Sequence, residues 1–221
     1  MPDREPLDVL EAIHSTRAMR YFKPDPIPDE VLWEILDAAI RGPTGANVQN
    51  WGWLVIRDPE LKRQMAETYS VGIIQAYGGE RDGDEQRDGG DGERTPVGLN
   101  ARDRRSVVHL AEHFAEVPVL IAAVLSGVRD GEGPGAGGGI YGAVQNLMLA
   151  ARAHGLGSVL TGAGSAEAVR ERLGLPEDTR VMAVIPMGYP SQGNFSQPRR
   201  RPVQEVVHWD SWGRQHNRPE A

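Results

Sequence analysis

Two arginines three residues apart, Arg17 and Arg20, are the first side chains in the sequence whose type and spacing could hold a ligand. A guanidinium group is planar and always charged, so it donates paired hydrogen bonds to a phosphate or a carboxylate. Two such groups at this spacing can converge on one anion. Taken alone, a pair of surface arginines near a helix end is the commoner explanation, so the pair needs support from other segments.

A second segment, GPTGANVQNW over residues 42–51, places three amide side chains within four residues, Asn47, Gln49 and Asn50. It joins a predicted helix to a predicted strand. A polar ligand rich in carbonyl and hydroxyl groups could lie against these amides and against main-chain N–H groups beside the glycines. The alternative is an ordinary capped loop, which three neighbouring amides make less favoured.

A third segment, GLGSVLTGAG over residues 155–164, contains enough glycine for the main chain to approach a flat ligand closely. It is not the dinucleotide-binding fingerprint, because no G-x-G-x-x-G opens a helix after a strand, and the lysine of a phosphate-binding loop is also missing. A glycine-rich turn explains this segment equally well when it is judged alone.

Composition limits the classes of protein that this chain can represent. The 221 residues contain no cysteine, which excludes disulfides, thiolate nucleophiles and cysteine-ligated metals. The net charge of -7 argues against general binding to nucleic acid or to an anionic membrane. The N-terminal residues lack the apolar core of a signal peptide, so we expect a cytoplasmic protein with no membrane association. A basic cluster at residues 102–105 is interpreted as a solvated face.

Hydrophobic periodicity predicts alternating helices and strands. Helices are expected over residues 7–15, from Asp29 to about residue 41, from Pro59 to about Tyr69, and over residues 140–151, and another should begin near Val107. Strands are expected over residues 54–56, 119–125, 158–161 and 181–187. This pattern favours a layered α/β or α+β domain.

Three segments fall outside that pattern. Residues 78–94 contain six glycines and seven acidic residues but no apolar residue, so burial cannot offset their ordering entropy. Residues 131–139, GEGPGAGGG, are expected to form a flexible loop. The C-terminal residues 193–221 have no core-forming pattern, yet they carry Phe195, Trp209 and Trp212, which need to be covered.

Other residue patterns in the sequence give only weak evidence for a functional site. His109 and His113 have helical spacing with Glu112 between them, but the order H-L-A-E-H is not the H-E-x-x-H of a zinc site. We interpret them as a solvated helix face. No G-x-S-x-G nucleophile elbow is present. Among the tryptophans, Trp51 is expected to border a ligand site because it follows the amide segment.

The three segments, taken in order, resemble the FMN-dependent nitroreductase family. The matching stretches begin with AIHSTRAMRYFKPDPIPDEVLWEILDAAIRGPTGANVQNWGWLVI, and continue with YGAVQNLMLAARAHGLGSVLTG, VMAVIPMGYPSQ and RRRPVQEVVHW. The likeness covers residues 7–69 and about 107–209. It leaves out the acidic stretch and the end of the chain.

The resemblance implies a role for each segment. Arg17 and Arg20 would hold the FMN phosphate and the pyrimidine edge of the ring, with Ala18 between them where a serine is common. Residues Leu160, Thr161 and Gly162 would lie beside the flavin. The family's segment that reaches FMN from the partner subunit corresponds to Pro43, Thr44, Gly45, Asn47 and Gln49. Arg199 and Arg201 match late basic residues that close on the phosphate.

The resemblance also implies an architecture and an activity. The fold would be α+β, with a mixed central sheet flanked by helices, in an intertwined homodimer. Residues 1–221 would form one domain with a mobile acidic insertion at about 78–106 and a C-terminal arm at about 193–221. The insertion would be either a cover over the substrate side of the flavin or a plain linker.

The implied reaction passes hydride from NAD(P)H through flavin N5 to a small oxidised acceptor such as a nitroaromatic or a quinone. No catalytic side chain and no metal ligand are identified. Dehalogenation, enone reduction and flavin destruction are possible on the same scaffold. Flavin storage or sensing without turnover, and a structural protein without a cofactor, are the alternatives outside that reaction class.

Overall fold

The computed structural model describes residues 7–77, 101–127, 138–162 and 166–216. Within these ranges, helices pack on both faces of one four-stranded sheet. The helices are α1 (Val9–Ser15), α2 (Asp29–Ala39), α3 (Pro59–Tyr77), α4 (Ala101–Glu112), α5 (Gly138–Ala153) and α6 (Ala166–Arg172). The strands are β1 (Trp51–Ile56), β2 (Val119–Ser126), β3 (Gly157–Ser158) and β4 (Thr179–Gly188).

The sheet has the order β1-β2-β4-β3, and its three strand pairs are all antiparallel. One parallel bridge, between Ala18 and Ser158, extends the β3 edge, so the sheet is mixed only at that point. The predicted α+β class is confirmed. The predicted strand over 158–161 is shorter than expected, because only Gly157 and Ser158 form a ladder and Thr161 makes an isolated bridge to Val184.

The central strand β2 explains why the core has two halves. Successive side chains of a strand point to opposite faces. Ile121 and Ala123 therefore pack with α2 and α5 on one face, whereas Leu120 and Ala122 pack with α3, α4 and α6 on the other. A strand buried on both faces needs an unbroken apolar run, which is what residues 119–125 provide.

Helix starts follow the expected chemistry. The Asp8 side chain accepts hydrogen bonds from the first turn of α1, and Asp58 Oδ1 accepts one from Leu61 N at 2.8 Å in α3. Helix α3 continues to Tyr77, beyond its predicted end near Tyr69. Helix α6, which sequence periodicity did not predict, buries Val169 against β4.

Two predicted segment boundaries are wrong. Residues 101–106, assigned to the insertion, form the first half of α4. Their polar side chains hide the helix, because the buried positions of α4 begin only at Val107. Residues 138 and 139, assigned to a flexible loop, belong to the first turn of α5. The remaining calls on 78–100 and 131–137 lie outside the described residues.

No helix in the described part of the chain combines the length and the apolar character that crossing a membrane requires.

Candidate cofactor site

The segment that carries Arg17 and Arg20 lies along the β3 edge of the sheet. Met19 N donates to the Ser158 carbonyl oxygen at 3.0 Å, beside the Ala18–Ser158 bridge. The two chains approach so closely that a Cβ added at Gly157 would lie 3.0 Å from Met19 Cβ, which explains the glycine there. The first and third sequence segments are therefore direct neighbours.

Beyond β3 the chain offers an open surface next to that segment. Thr161 is buried and exchanges two main-chain hydrogen bonds with Val184 of β4, at 3.0 and 3.1 Å. Its hydroxyl donates to the Gly162 carbonyl oxygen at 2.8 Å. Leu160 and Gly162 on either side are exposed, and a Cβ added at Gly162 would meet no atom within 4 Å. A flat ligand could lie against this stretch of main chain.

The two arginines occupy different environments. Arg17 is partly exposed and donates from Nη1 to Ser196 Oγ at 3.1 Å, so the rest of its guanidinium can face a ligand. Arg20 is half-buried and its Nη1 lies 3.5 Å from Ser106 Oγ of α4. Burial lowers the pKa of Arg20, whereas the charges of Tyr69 and Asp103 act in the opposite direction. Arg17 is thus placed to contact an anion, and Arg20 joins the segment to α4.

The amide loop, residues 43–49, is held in an unusual backbone conformation. Ala46, Asn47 and Gln49 have positive φ angles of 46°, 56° and 48°. A non-glycine residue in this left-handed region costs roughly 1–2 kcal/mol. The Thr44 hydroxyl accepts a hydrogen bond from Gln49 N at 3.2 Å, so it stabilises the loop itself. Pro43, Thr44, Gly45, Asn47 and Gln49 all lie at the surface or near it.

One chain does not bring the amide loop to the arginine segment. A Cβ added at Gly42 would lie 2.9 Å from Ala143, near the start of α5, whereas Arg152 near the end of α5 donates to Ser15 Oγ at 2.9 Å. Ala143 and Arg152 are nine residues apart on α5, which is roughly 14 Å along the helix axis. The loop also leads into β1, at the opposite sheet edge from β3. Within the described part of one chain, the amide loop and the arginine segment therefore lie apart.

The C-terminal arm, as far as it is described (residues 193–216), begins beside Arg17. The Arg152 guanidinium stacks over the Phe195 ring at 4.1 Å, so Phe195 packs against its own chain. Arg201 Nε donates to Glu205 at 3.2 Å and the Arg199 carbonyl oxygen accepts from Arg200, both within the arm. The structure does not bring Arg199 or Arg201 to Arg17 through a described contact.

An apolar groove of about 670 Å³ runs between α2 and β1, on the far side of the sheet from the arginine segment. Trp51 lines this groove together with Trp33 and Trp53. The Trp53 indole N–H is buried and has no hydrogen-bond partner among the described residues. Trp51 therefore borders a surface beside β1, at the edge of the sheet opposite to β3, and its expected position beside a ligand site stays a prediction.

Residues 13–189 match the sequence profile of the family described as the Nitroreductase family. The chain belongs to the nitroreductase family. The predicted family is thereby confirmed. A protein of Thermus thermophilus named NADH dehydrogenase is 30% identical over 215 residues, covering 92% of this chain and 96% of the relative.

Solved structures agree with the fold of the family. An FMN- and NADPH-dependent nitroreductase, NfnB from a Sphigopyxis strain, superposes with a TM-score of 0.66 at 21% identity, covering 93% of this chain and all of the other. An iodotyrosine deiodinase bound to FMN and 3-iodo-L-tyrosine gives a TM-score of 0.70 at 22% identity, covering 92% and 99%. The family match ends at Tyr189, before Arg199 and Arg201.

Inside the family match, the structure reveals a cluster that sequence reasoning missed. Tyr21 stacks on His109 with 4.1 Å between ring centroids, and His109 stacks on His113 at 4.2 Å. The prediction that the two histidines form a solvated helix face is wrong, because both are partly buried against the arginine segment. Ser106, His109 and His113 share helical spacing, which is the only signal in the sequence that places them on one face of α4.

Proposed function

We propose that this protein is an FMN-dependent NAD(P)H oxidoreductase that works as a homodimer with two shared flavin sites. The observation that carries the proposal is the arginine segment lying directly beside the open main chain of Leu160–Gly162. A charged fork next to an accessible flat surface suits a ligand with one phosphate and a planar ring. FMN has one phosphate and a planar ring. The sequence contains no dinucleotide-binding fingerprint, so it does not favour FAD.

The donor set fits FMN residue by residue. Arg17 would donate to the phosphate with the N–H groups that Ser196 does not accept from, and Arg20 would meet the pyrimidine edge of the ring. The exposed main chain at Leu160 and Gly162, on either side of Thr161, would lie beside the ring. Arg199 and Arg201 would close on the phosphate once the exposed arm is fixed by a partner. Positive charge near the pyrimidine edge would stabilise the electron-rich form of the cofactor.

The proposed homodimer rests on two features. First, the amide loop lies near the start of α5 and the arginine segment near its end, so a site that uses both would combine two subunits. Second, Trp212 is 90% exposed and Trp209 is 51% exposed on the arm, while the apolar groove beside β1 is uncovered. An exposed sheet edge readily accepts an added strand, so the partner's arm would lie along β1 and cover the groove.

The names of the relatives support the reaction class. The Thermus relative is named NADH dehydrogenase, and the Sphigopyxis protein is described as FMN- and NADPH-dependent. When bound, FMN supplies the capacity to accept a hydride from a reduced nicotinamide and to pass electrons to an oxidised acceptor. The chain supplies binding, orientation and positive charge. The acceptor class we propose is a small nitroaromatic or quinone.

A second reaction deserves a direct comparison. An iodotyrosine deiodinase of Drosophila melanogaster is 27% identical over 195 residues, covering 84% of this chain and 63% of the relative. Reductive dehalogenation of an aromatic substrate is therefore the second candidate. Flavin storage without turnover is the alternative outside the enzymes.

An absorbance spectrum of the purified full-length protein, followed by identification of the flavin released on denaturation, tests cofactor binding. Steady consumption of NADH or NADPH with a nitroaromatic, a quinone or a halotyrosine then separates the reaction classes. FMN release and acceptor-dependent turnover are expected. Failure to bind FMN would refute the site, and bound FMN without turnover on any acceptor would favour storage or sensing.

A further inference from the structure

Three aromatic rings form a continuous stack between the arginine segment and α4. Tyr21, His109 and His113 lie in that order, with interplanar angles of 18° and 29°. The Nδ1 atom of His113 lies 2.9 Å from the His109 carbonyl oxygen, so this ring is fixed from its own helix. Tyr21 is fixed on the other side, because its carbonyl oxygen accepts from Ser191 N at 3.0 Å. We call Tyr21, His109 and His113 the ring stack.

The ring stack tolerates one proton on its two imidazoles far better than two. A single imidazolium can lie against the Tyr21 ring through a cation–π contact. Two imidazolium rings with centroids 4.2 Å apart repel each other, and burial weakens the screening. Protonation of both rings at once is therefore unfavourable while the rings stay stacked.

The charges around His109 agree with this view. Burial lowers the pKa of His109, and the positive charge of His113 lowers it further. Glu112 on α4 and Glu116 in the following turn act in the opposite direction. From the arginine segment, Tyr21 stacks on the ring, and Arg20 is the nearby cation.

The stack is linked to the proposed flavin site through adjacent residues. Tyr21 directly follows Arg20, and Arg20 reaches Ser106, one turn before His109 on the same helix. The charge of Tyr69 on α3 raises the pKa of Arg20, and the Tyr69 ring stacks on Phe114. Separating Tyr21 from His109 would therefore remove the ring contact between α4 and this segment, while the main-chain hydrogen bonds of Met19 and Tyr21 remain.

We propose that His109 is a positioning residue for the flavin site, and that the ring stack clamps the arginine segment only while the two histidines carry at most one proton between them. Below the ordinary titration range of histidine, the stack opens and FMN binds more weakly. This inference rests on the proposed function, because it assumes that the arginine segment binds FMN.

The test measures the FMN dissociation constant of the full-length apoprotein by flavin fluorescence from pH 8 to pH 5.5. Three proteins are compared, namely the unmodified chain, His109→Phe and His154→Gln. The His109→Phe variant keeps a ring in the stack but cannot take a proton. His154→Gln removes a histidine that pairs with Glu34 at 3.1 Å beyond the end of α5, on the other face of the sheet. All three share the titration of the FMN phosphate itself.

We expect the dissociation constant of the unmodified chain to rise on acidification by up to about threefold more than that of His109→Phe at pH 5.5. The repulsion of two unit charges about 4 Å apart is roughly fivefold in water, and it acts only in molecules with both rings protonated. His154→Gln should follow the unmodified chain. Parallel profiles for the unmodified chain and His109→Phe, or tighter binding of the unmodified chain at low pH, would overturn the inference. Absence of FMN binding at pH 8 would instead refute the proposed function.

A second measurement does not depend on FMN or on the folding of His109→Phe. NMR titration of the histidine ring protons in the apoprotein should show His109 titrating below the ordinary histidine range, because burial and the charge of His113 both lower its pKa. Replacing the neighbour, as His113→Phe, should raise the pKa of His109, because one of its two depressing influences is removed. Titration of His109 at the ordinary histidine pKa both with and without His113 would contradict the coupling.

Discussion

Replacing Arg17 by alanine should weaken FMN binding without unfolding the protein. The structure gives Arg17 one described hydrogen bond, from Nη1 to Ser196 at 3.1 Å, and leaves the side chain partly exposed. Truncating such a residue usually changes the free energy of unfolding by less than about 0.5 kcal/mol. A lost hydrogen bond to a charged group contributes about 1.5–3 kcal/mol to binding. The dissociation constant should therefore rise roughly 10- to 150-fold.

The assay is a fluorescence titration of apoprotein with FMN at pH 8, with thermal unfolding of each apoprotein as a check on the fold. Arg17→Lys keeps the charge but loses the two-pronged donor, so its affinity should lie between those of the unmodified chain and the alanine variant. Arg63→Ala is the matched control, because Arg63 pairs with Glu60 and Glu67 within α3. An unchanged affinity in Arg17→Ala, or an equal loss in Arg63→Ala, would refute the proposed phosphate site.

Three further outcomes are expected. Gly157→Ala should lower the free energy of unfolding by about 1–3 kcal/mol, measured in urea, because the new methyl group would press on Met19 at 3.0 Å; unchanged stability would mean that the two segments separate easily. The free energy of unfolding of the unmodified apoprotein should fall relative to that of His109→Phe as the pH drops below about 6.5. The unfolded chain then binds a proton more readily than the folded chain, because burial lowers the pKa of His109. Thermal unfolding of both proteins at pH 5.5 and 8 checks the direction of this change. Removing residues 199–221 should give a monomer without flavin in sedimentation, whereas a dimer that keeps FMN would show that the arm is dispensable.

Much of the fold could be predicted from local patterns. The run Val119–Leu125 is apolar at every position, and only a strand buried on both faces needs that. Asp58 followed by Pro59 predicts the start of α3 because aspartate caps and proline suits the first turn. The first turn of α4 escaped prediction because charged residues fill it, and periodicity detects a helix only where it buries a stripe.

The site could be predicted only in part, because its geometry depends on packing between distant segments. Sequence identified Arg17 and the amide loop, but not that α5 separates them. The spacing of His109 and His113 equally suits a solvated face or a packed one, and only the position of Tyr21 decides between these. The role of the Thr44 hydroxyl within its own loop also depends on a backbone turn that propensities do not specify.

The separation of the amide loop from the arginine segment predicts how defective subunits complement each other. If each flavin is held by the arginine segment of one subunit and the amide loop of the other, a substitution in either segment damages a different half of the site. A subunit with Arg17→Ala and a subunit with Gln49→Ala would each form a defective homodimer. Their mixed dimer would contain one doubly damaged site and one intact site. Co-expression of the two defective alleles should therefore restore activity, and dissociating and reannealing the purified homodimers should restore it in a test tube.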